Sequence, residues 1–118
     1  MPCSGGPASA GEGTGGTSCG YHQGMNFSEL TISRFQKHIS EKYEKVDRKR
    51  GSAKTFLWLI EEVGELATAL NGNDRANLEE EFADVIAWIC TLANINDVDL
   101  SAAIGRKYLG KKRPEGHK

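Results

Sequence analysis

The sequence predicts an all-α protein, a four-helix bundle that associates with further copies of itself. Three observations carry this. Apolar residues after residue 25 recur at three- and four-residue intervals, no alternating strand pattern competes, and Gly, Asn and Asp break the series at short intervals. The chain has 118 residues, enough for one domain and short of two. Only 38% of it is hydrophobic, so four short helices enclose a thin core that association of chains would complete.

Residues 1–25 precede the periodic part. They hold 8 of the 14 glycines, 2 of the 3 prolines and no Lys or Arg. Such a segment cannot bury enough apolar surface to offset its ordering entropy. It is expected to be a disordered leader, with Met25 an alternative start, and Cys3, Cys19 and His22 within it are expected to be solvated. Its removal should leave the stability of the rest nearly unchanged. The folded domain is then 26–118.

The first helix carries Leu30, Ile32, Phe35, Ile39, Tyr43 and Val46, with Ser28 as a candidate cap and an end near 47–50. Gly51 breaks the pattern and Ser52 can cap the second helix, which carries Phe56, Leu57, Ile60, Val63, Ala67 and Leu70. Asn71, Gly72, Asn73 and Asp74 form a turn signal. The third helix carries Leu78, Phe82, Val85, Ile86, Ile89 and Ala93 and ends near 94–96. Asp99 can cap a fourth, with Leu100, Ala103, Ile104 and Tyr108. Short connections make sequential helices antiparallel.

Several function classes are excluded or disfavoured. No apolar run approaches the ~20 residues of a membrane span. No basic segment followed by an apolar stretch marks a secretory signal. The net charge of −1 argues against a broadly basic binder of nucleic acid polymers. Three cysteines are not spaced as a disulfide framework, which fits a reduced, cytoplasmic setting.

The near-neutral total hides segregation. Residues 26–57 carry a net +4, residues 58–100 a net −9, and residues 101–118 a net +5. The acidic middle is either a set of solvated helix faces or a cation-binding centre flanked by phosphate-binding groups. The spacing of the acids decides. Glu62 and Glu65 lie three apart on the second helix, and Glu81 and Asp84 three apart on the third, so each pair shares a face. In an antiparallel hairpin folded about Asn73, Glu65 stands level with Glu81 and Glu62 with Asp84. Four carboxylates then meet at two adjacent levels, flanked by Glu61. Without cations they repel one another and are costly to desolvate. An all-oxygen donor set suits Mg²⁺, with Mn²⁺ a substitute, rather than zinc. A di-iron bundle expects Glu-x-x-His pairs, and His38, the only histidine between Asn26 and Lys112, lies outside both pairs.

Trp58 and Trp88 are also symmetric about the turn, one level beyond Glu62 and Asp84. Either they are core residues, or one of them contacts a planar base. Lys54, one turn before Trp58, either reaches a phosphate or is a surface lysine.

The segments Glu61-Glu62-Val63-Gly64-Glu65-Leu66-Ala67 and Glu80-Glu81-Phe82-Ala83-Asp84-Val85-Ile86 resemble those of the MazG-like nucleotide pyrophosphohydrolases, an all-α superfamily with an E-E-x-x-E motif followed by E-x-x-D. The similarity continues through Val98, Asp99 and Leu100 to Lys107 and Lys111, covering about residues 27–113. The family hydrolyses nucleoside triphosphates between the α and β phosphates, releasing a monophosphate and pyrophosphate. The resemblance implies that Glu62, Glu65, Glu81 and Asp84 hold Mg²⁺ and that Glu61 positions or deprotonates the attacking water. It places Trp88 beside the nucleotide, and Lys107 and Lys111 on phosphates, often across a subunit boundary. An asparagine is commoner in the family at the position of Lys111. The implied enzyme is a homodimer or a dimer of dimers acting on (d)NTPs in nucleotide-pool housecleaning. Two alternatives stand beside it: phosphoribosyl-ATP pyrophosphohydrolase, and a non-catalytic helical interaction module retaining the motif.

Overall fold

Thr31, rather than Ser28, starts the first helix. The computed structural model describes residues 26–110. In it the Asn26 side chain accepts from the Ser28 backbone N–H and hydroxyl, which commits Ser28 to a 3-10 turn at Phe27–Glu29. Thr31, in extended backbone, accepts from the Arg34 N–H at 3.0 Å through its Oγ1 and so satisfies a donor of the first helical turn. The helices are α1 (Ile32–Arg50), α2 (Ser52–Leu70), α3 (Arg75–Ile95) and α4 (Leu100–Tyr108), with no strand among the described residues. The expected leader, residues 1–25, and the last eight residues, Lys111 included, lie outside the described residues.

Each helix end has a local cause. Gly51 follows α1 at φ 90°, a conformation that L side chains rarely adopt, and Ser52 is the first residue of α2 rather than its cap. The Ser52 hydroxyl instead accepts from Asn96 Nδ2 at 2.9 Å. Asp74 caps α3 by accepting from Asn77 N–H, and Asp99 caps α4 by accepting from Ala102 N–H. At the far end of α3, Arg48 donates to the Asn94 carbonyl at 2.8 Å and the Ile95 carbonyl at 3.2 Å, occupying acceptors that the helix leaves open. Gln36 ties the next connection down, donating to Asn94 Oδ1 and the Val98 carbonyl and accepting from the Leu100 N–H.

The central element is α3, which packs extensively on both α2 and α1; α4 lies chiefly on α1. Between α1 and α3, Ile39 meets Ala87 and Cys90, with Phe35, Tyr43 and Leu100 around them. No described helix is long and apolar enough to cross a membrane.

The apolar series expected to form the core is only partly inside. Leu30, Ile32 and Val46, five of the six apolar positions named for α2 (Phe56, Leu57, Ile60, Val63 and Leu70), and Phe82 and Ile86 on α3 are exposed. The face of α2 turned inward runs instead through Thr55, Leu59, Glu62, Leu66 and Ala69, at alternating spacings of four and three. This helix is therefore apolar on two faces, while α1 and α3 cover only one. Phe56, Ile60, Val63 and Leu70 remain as a continuous stripe along the outside of the α2–α3 hairpin.

Candidate active site

The inward stripe of α2 carries Glu62 into the interior, where α3 brings Glu81 and Asp84 against it. One oxygen from each of these three carboxylates lies within 4.8 Å of the others. Glu62 is 0% exposed and Glu81 is 8% exposed. No N–H or hydroxyl donor reaches either oxygen of Glu62 or Oε1 of Glu81. No Lys or Arg forms an ion pair with Glu62 or Glu81 among the described residues. Such groups bear a heavy electrostatic load. Burial first, then the charges of Asp84, Glu65 and Glu81, push the Glu62 carboxyl up to about 8. The Glu81 carboxyl is raised as well, by burial and then by Glu65.

Glu65 is half-buried and lies outside the three-carboxylate set, although its charge acts on both Glu62 and Glu81. Glu61, the next residue before Glu62 on α2, is exposed. The cluster supplies only carboxylate oxygens, several of them desolvated and without donors. Chemically this donor set fits a hard divalent cation, which would both satisfy the oxygens and offset their repulsion.

One helical turn away, the two indoles meet. Trp58 and Trp88 are 5.3 Å apart between centroids at 84°, an edge-to-face pair. Together with the approach of Glu62 to Asp84, this fixes the antiparallel register of α2 and α3. Trp88 is 1% exposed, whereas Trp58 is only half-buried, so the ring accessible to a ligand in this chain is that of Trp58. Lys54 is exposed, with its Nζ 5.7 Å from the Trp58 centroid. Lys107 is exposed in the last turn of α4, with its Nζ 5.2 Å from the Tyr108 centroid. Because α4 packs chiefly on α1, the fold does not build Lys107 into the α2–α3 hairpin.

Sequence inspection assigned no role to Arg50, Asp47 or Thr55. In the fold they form a network over the indoles. Arg50 donates through Nη2 to Asp47 Oδ1 at 2.6 Å and through Nε to Thr55 Oγ1 at 2.9 Å. The guanidinium carbon stands 4.7 Å from the Trp58 centroid and 5.2 Å from that of Trp88. The available signal was spacing: Asp47 precedes Arg50 by three residues, and Thr55 precedes Trp58 by three.

A groove of about 400 Å³ lies elsewhere, between α1 and the 94–99 segment, and is lined by none of the predicted site residues. Its charged groups are largely matched to one another, Arg48 pairing with Glu44 and Asp97 at 2.6 Å each.

The model of the MazG nucleotide pyrophosphohydrolase domain matches residues 50–113, which span α2, α3 and α4 and begin at Arg50. The match covers more than half of the chain, and the protein belongs to this family. A comparison with curated proteins returned no match.

Proposed function

We propose that the protein is a Mg²⁺-dependent nucleoside triphosphate pyrophosphohydrolase, converting (d)NTPs to (d)NMPs and pyrophosphate in housecleaning of the cytoplasmic nucleotide pool. The observation that carries this is the carboxylate cluster of Glu62, Glu81 and Asp84, in which both oxygens of Glu62 and Oε1 of Glu81 are buried with no N–H or hydroxyl donor, in a chain of the MazG family. In this proposal Glu62, Glu65, Glu81 and Asp84 hold Mg²⁺, for which Mn²⁺ can substitute. Bound there, the metal would supply charge neutralisation for the triphosphate and a lowered pKa for water.

The remaining roles fall to the protein's own side chains. Glu61, exposed beside the cluster, orients the attacking water and accepts its proton. Trp58, backed by Trp88, offers an aromatic face to the base. Lys54 is placed on the Trp58 side for a phosphate oxygen, and Lys107 and Lys111 make charge-assisted contacts to the leaving pyrophosphate from a neighbouring subunit. Assembly as a homodimer or a dimer of dimers is supported by the exposed stripe of Phe56, Ile60, Val63 and Leu70, since apolar residues clustered on one exposed face mark interaction surfaces.

The test is a panel of canonical and modified NTPs and dNTPs, together with phosphoribosyl-ATP, incubated with Mg²⁺ while both products are quantified. Stoichiometric monophosphate and pyrophosphate, abolished by EDTA, is the expected result. Release of orthophosphate, or no release from any nucleotide, would overturn the proposal.

A further inference from the structure

The Arg50 network covers the two indoles that lie one helical turn from the acidic centre, without belonging to that centre. The Arg50 side chain is 12% exposed and its partners, Asp47 and Thr55, are buried. Two explanations for a nearly buried arginine one turn from a carboxylate cluster can be separated by its contacts. A countercharge for the cluster would ion-pair with it or draw its carboxyls down. The charges acting on Glu62 are those of Asp84, Glu65 and Glu81, all acidic, and Arg50 is not among them. Arg50 is instead paired with Asp47 at 2.6 Å. Its remaining contacts are the two indoles, both within the ~6 Å over which a cation is attracted to an aromatic face.

These contacts constrain Trp58 in particular. Trp88 is held by burial on all sides. Trp58 is half-buried, and its fixed neighbours are the edge-to-face indole of Trp88 and the Arg50 guanidinium over its ring. The guanidinium cannot slide, because Nε and Nη2 are anchored on two different helices, at Thr55 of α2 and Asp47 of α1. Arginine is suited to this geometry: its planar fork can stack and donate in two directions at once, which an ammonium cannot.

We infer that Arg50 is the positioning residue that holds the Trp58 ring as a rigid wall for the nucleobase, so that the Asp47–Arg50–Thr55 network sets nucleotide affinity without taking part in the chemistry at the carboxylates. This rests on the proposed pyrophosphohydrolase function. Arg50→Lys keeps the charge opposite Asp47 but loses the fork. Thr55→Val removes only the acceptor for Nε, and Thr55→Ser restores it.

The experiment measures kcat and KM for a dNTP turned over by the wild type, Mg²⁺ binding by calorimetry, and the circular dichroism couplet arising from the coupled indoles. Arg50→Lys should raise KM about tenfold, leave kcat within twofold and Mg²⁺ affinity unchanged, and weaken the couplet. Thr55→Val should move KM and the couplet in the same direction by less, and Thr55→Ser should return both to wild-type values. Should Arg50→Lys fail to fold, the Thr55 pair carries the test alone. An unchanged KM in folded Arg50→Lys, or a fall in kcat with KM constant, would overturn the inference while leaving the function intact. A wild type that neither binds nor turns over any nucleotide would overturn the function, and the inference with it.

Discussion

Replacing Glu62 by glutamine should make the metal-free protein more stable and flatten its dependence on pH. Glu62 is 0% exposed, and its carboxyl is raised from 4.5 to about 8, first by burial and then by Asp84, Glu65 and Glu81. Below pH 4.5 it is protonated in both folded and unfolded chains and contributes nothing to the pH dependence. Between 4.5 and about 8 the folded state holds a proton that the unfolded state has released, so stability falls as pH rises through that window. The slope for one such group is about 1.4 kcal/mol per pH unit, which by pH 7 amounts to a cost of roughly 3 kcal/mol. Glutamine has the same shape, does not titrate, and can donate its amide to the carboxylates of Glu81 or Asp84. The assay is thermal unfolding at pH 5, 6, 7 and 8, in EDTA and at constant protein concentration. The wild-type melting temperature should fall across the series, and Glu62→Gln should be flatter and, at pH 7, higher by about 15 °C. Saturating Mg²⁺ should raise the wild type, because a ligand bound only to the folded state stabilises it, and should have little effect on the variant. Parallel curves for the two proteins in EDTA would refute the view that Glu62 is a strained buried acid.

Further outcomes follow from the same geometry. Asp84→Asn should reduce pyrophosphate release by orders of magnitude with the fold intact, whereas Glu79→Gln should leave it unchanged, since Glu79 is exposed and pairs only with Arg75 on the surface at 3.4 Å; a steady-state pyrophosphate assay of both decides. Ile60→Asp places a charge on the external apolar stripe of α2 and should convert an assembled wild type to monomers in multi-angle light scattering without loss of helicity by circular dichroism. Thr31→Ala removes the α1 cap and should cost about 1 kcal/mol in denaturant unfolding, while Ser28→Ala should change stability by less than half as much.

Local chemistry made much of this protein readable from its residues. The turn after Leu70, the cap at Asp99, and the break at Gly51 each depend on one or two residues acting on their own backbone, and each stands in the fold where the sequence puts it. The approach of Glu62 to Asp84, and of Trp58 to Trp88, was likewise legible, because a short antiparallel hairpin converts equal distances from a turn into equal heights; Glu65, expected level with Glu81, lies outside the three-carboxylate set. The starting cap of α1 was misread for the same local reason: Ser28 and Thr31 are both competent, and only the prior commitment of Ser28 to Asn26 excludes it.

What the sequence left open is which face of each helix turns inward. On α2 the apolar series through Phe56, Ile60 and Val63 competes with the series through Thr55, Leu59 and Glu62, and periodicity alone favours the more hydrophobic one. The tertiary structure buries the other, carrying Glu62 into the interior and leaving the apolar stripe outside. The Arg50 network was hidden for a related reason. Its atoms come from α1 and α2 and close over an indole of α3, so no single helical period contains them. A helix can present two apolar faces to any partner that fits, and the choice between them is made by packing between segments distant in the chain.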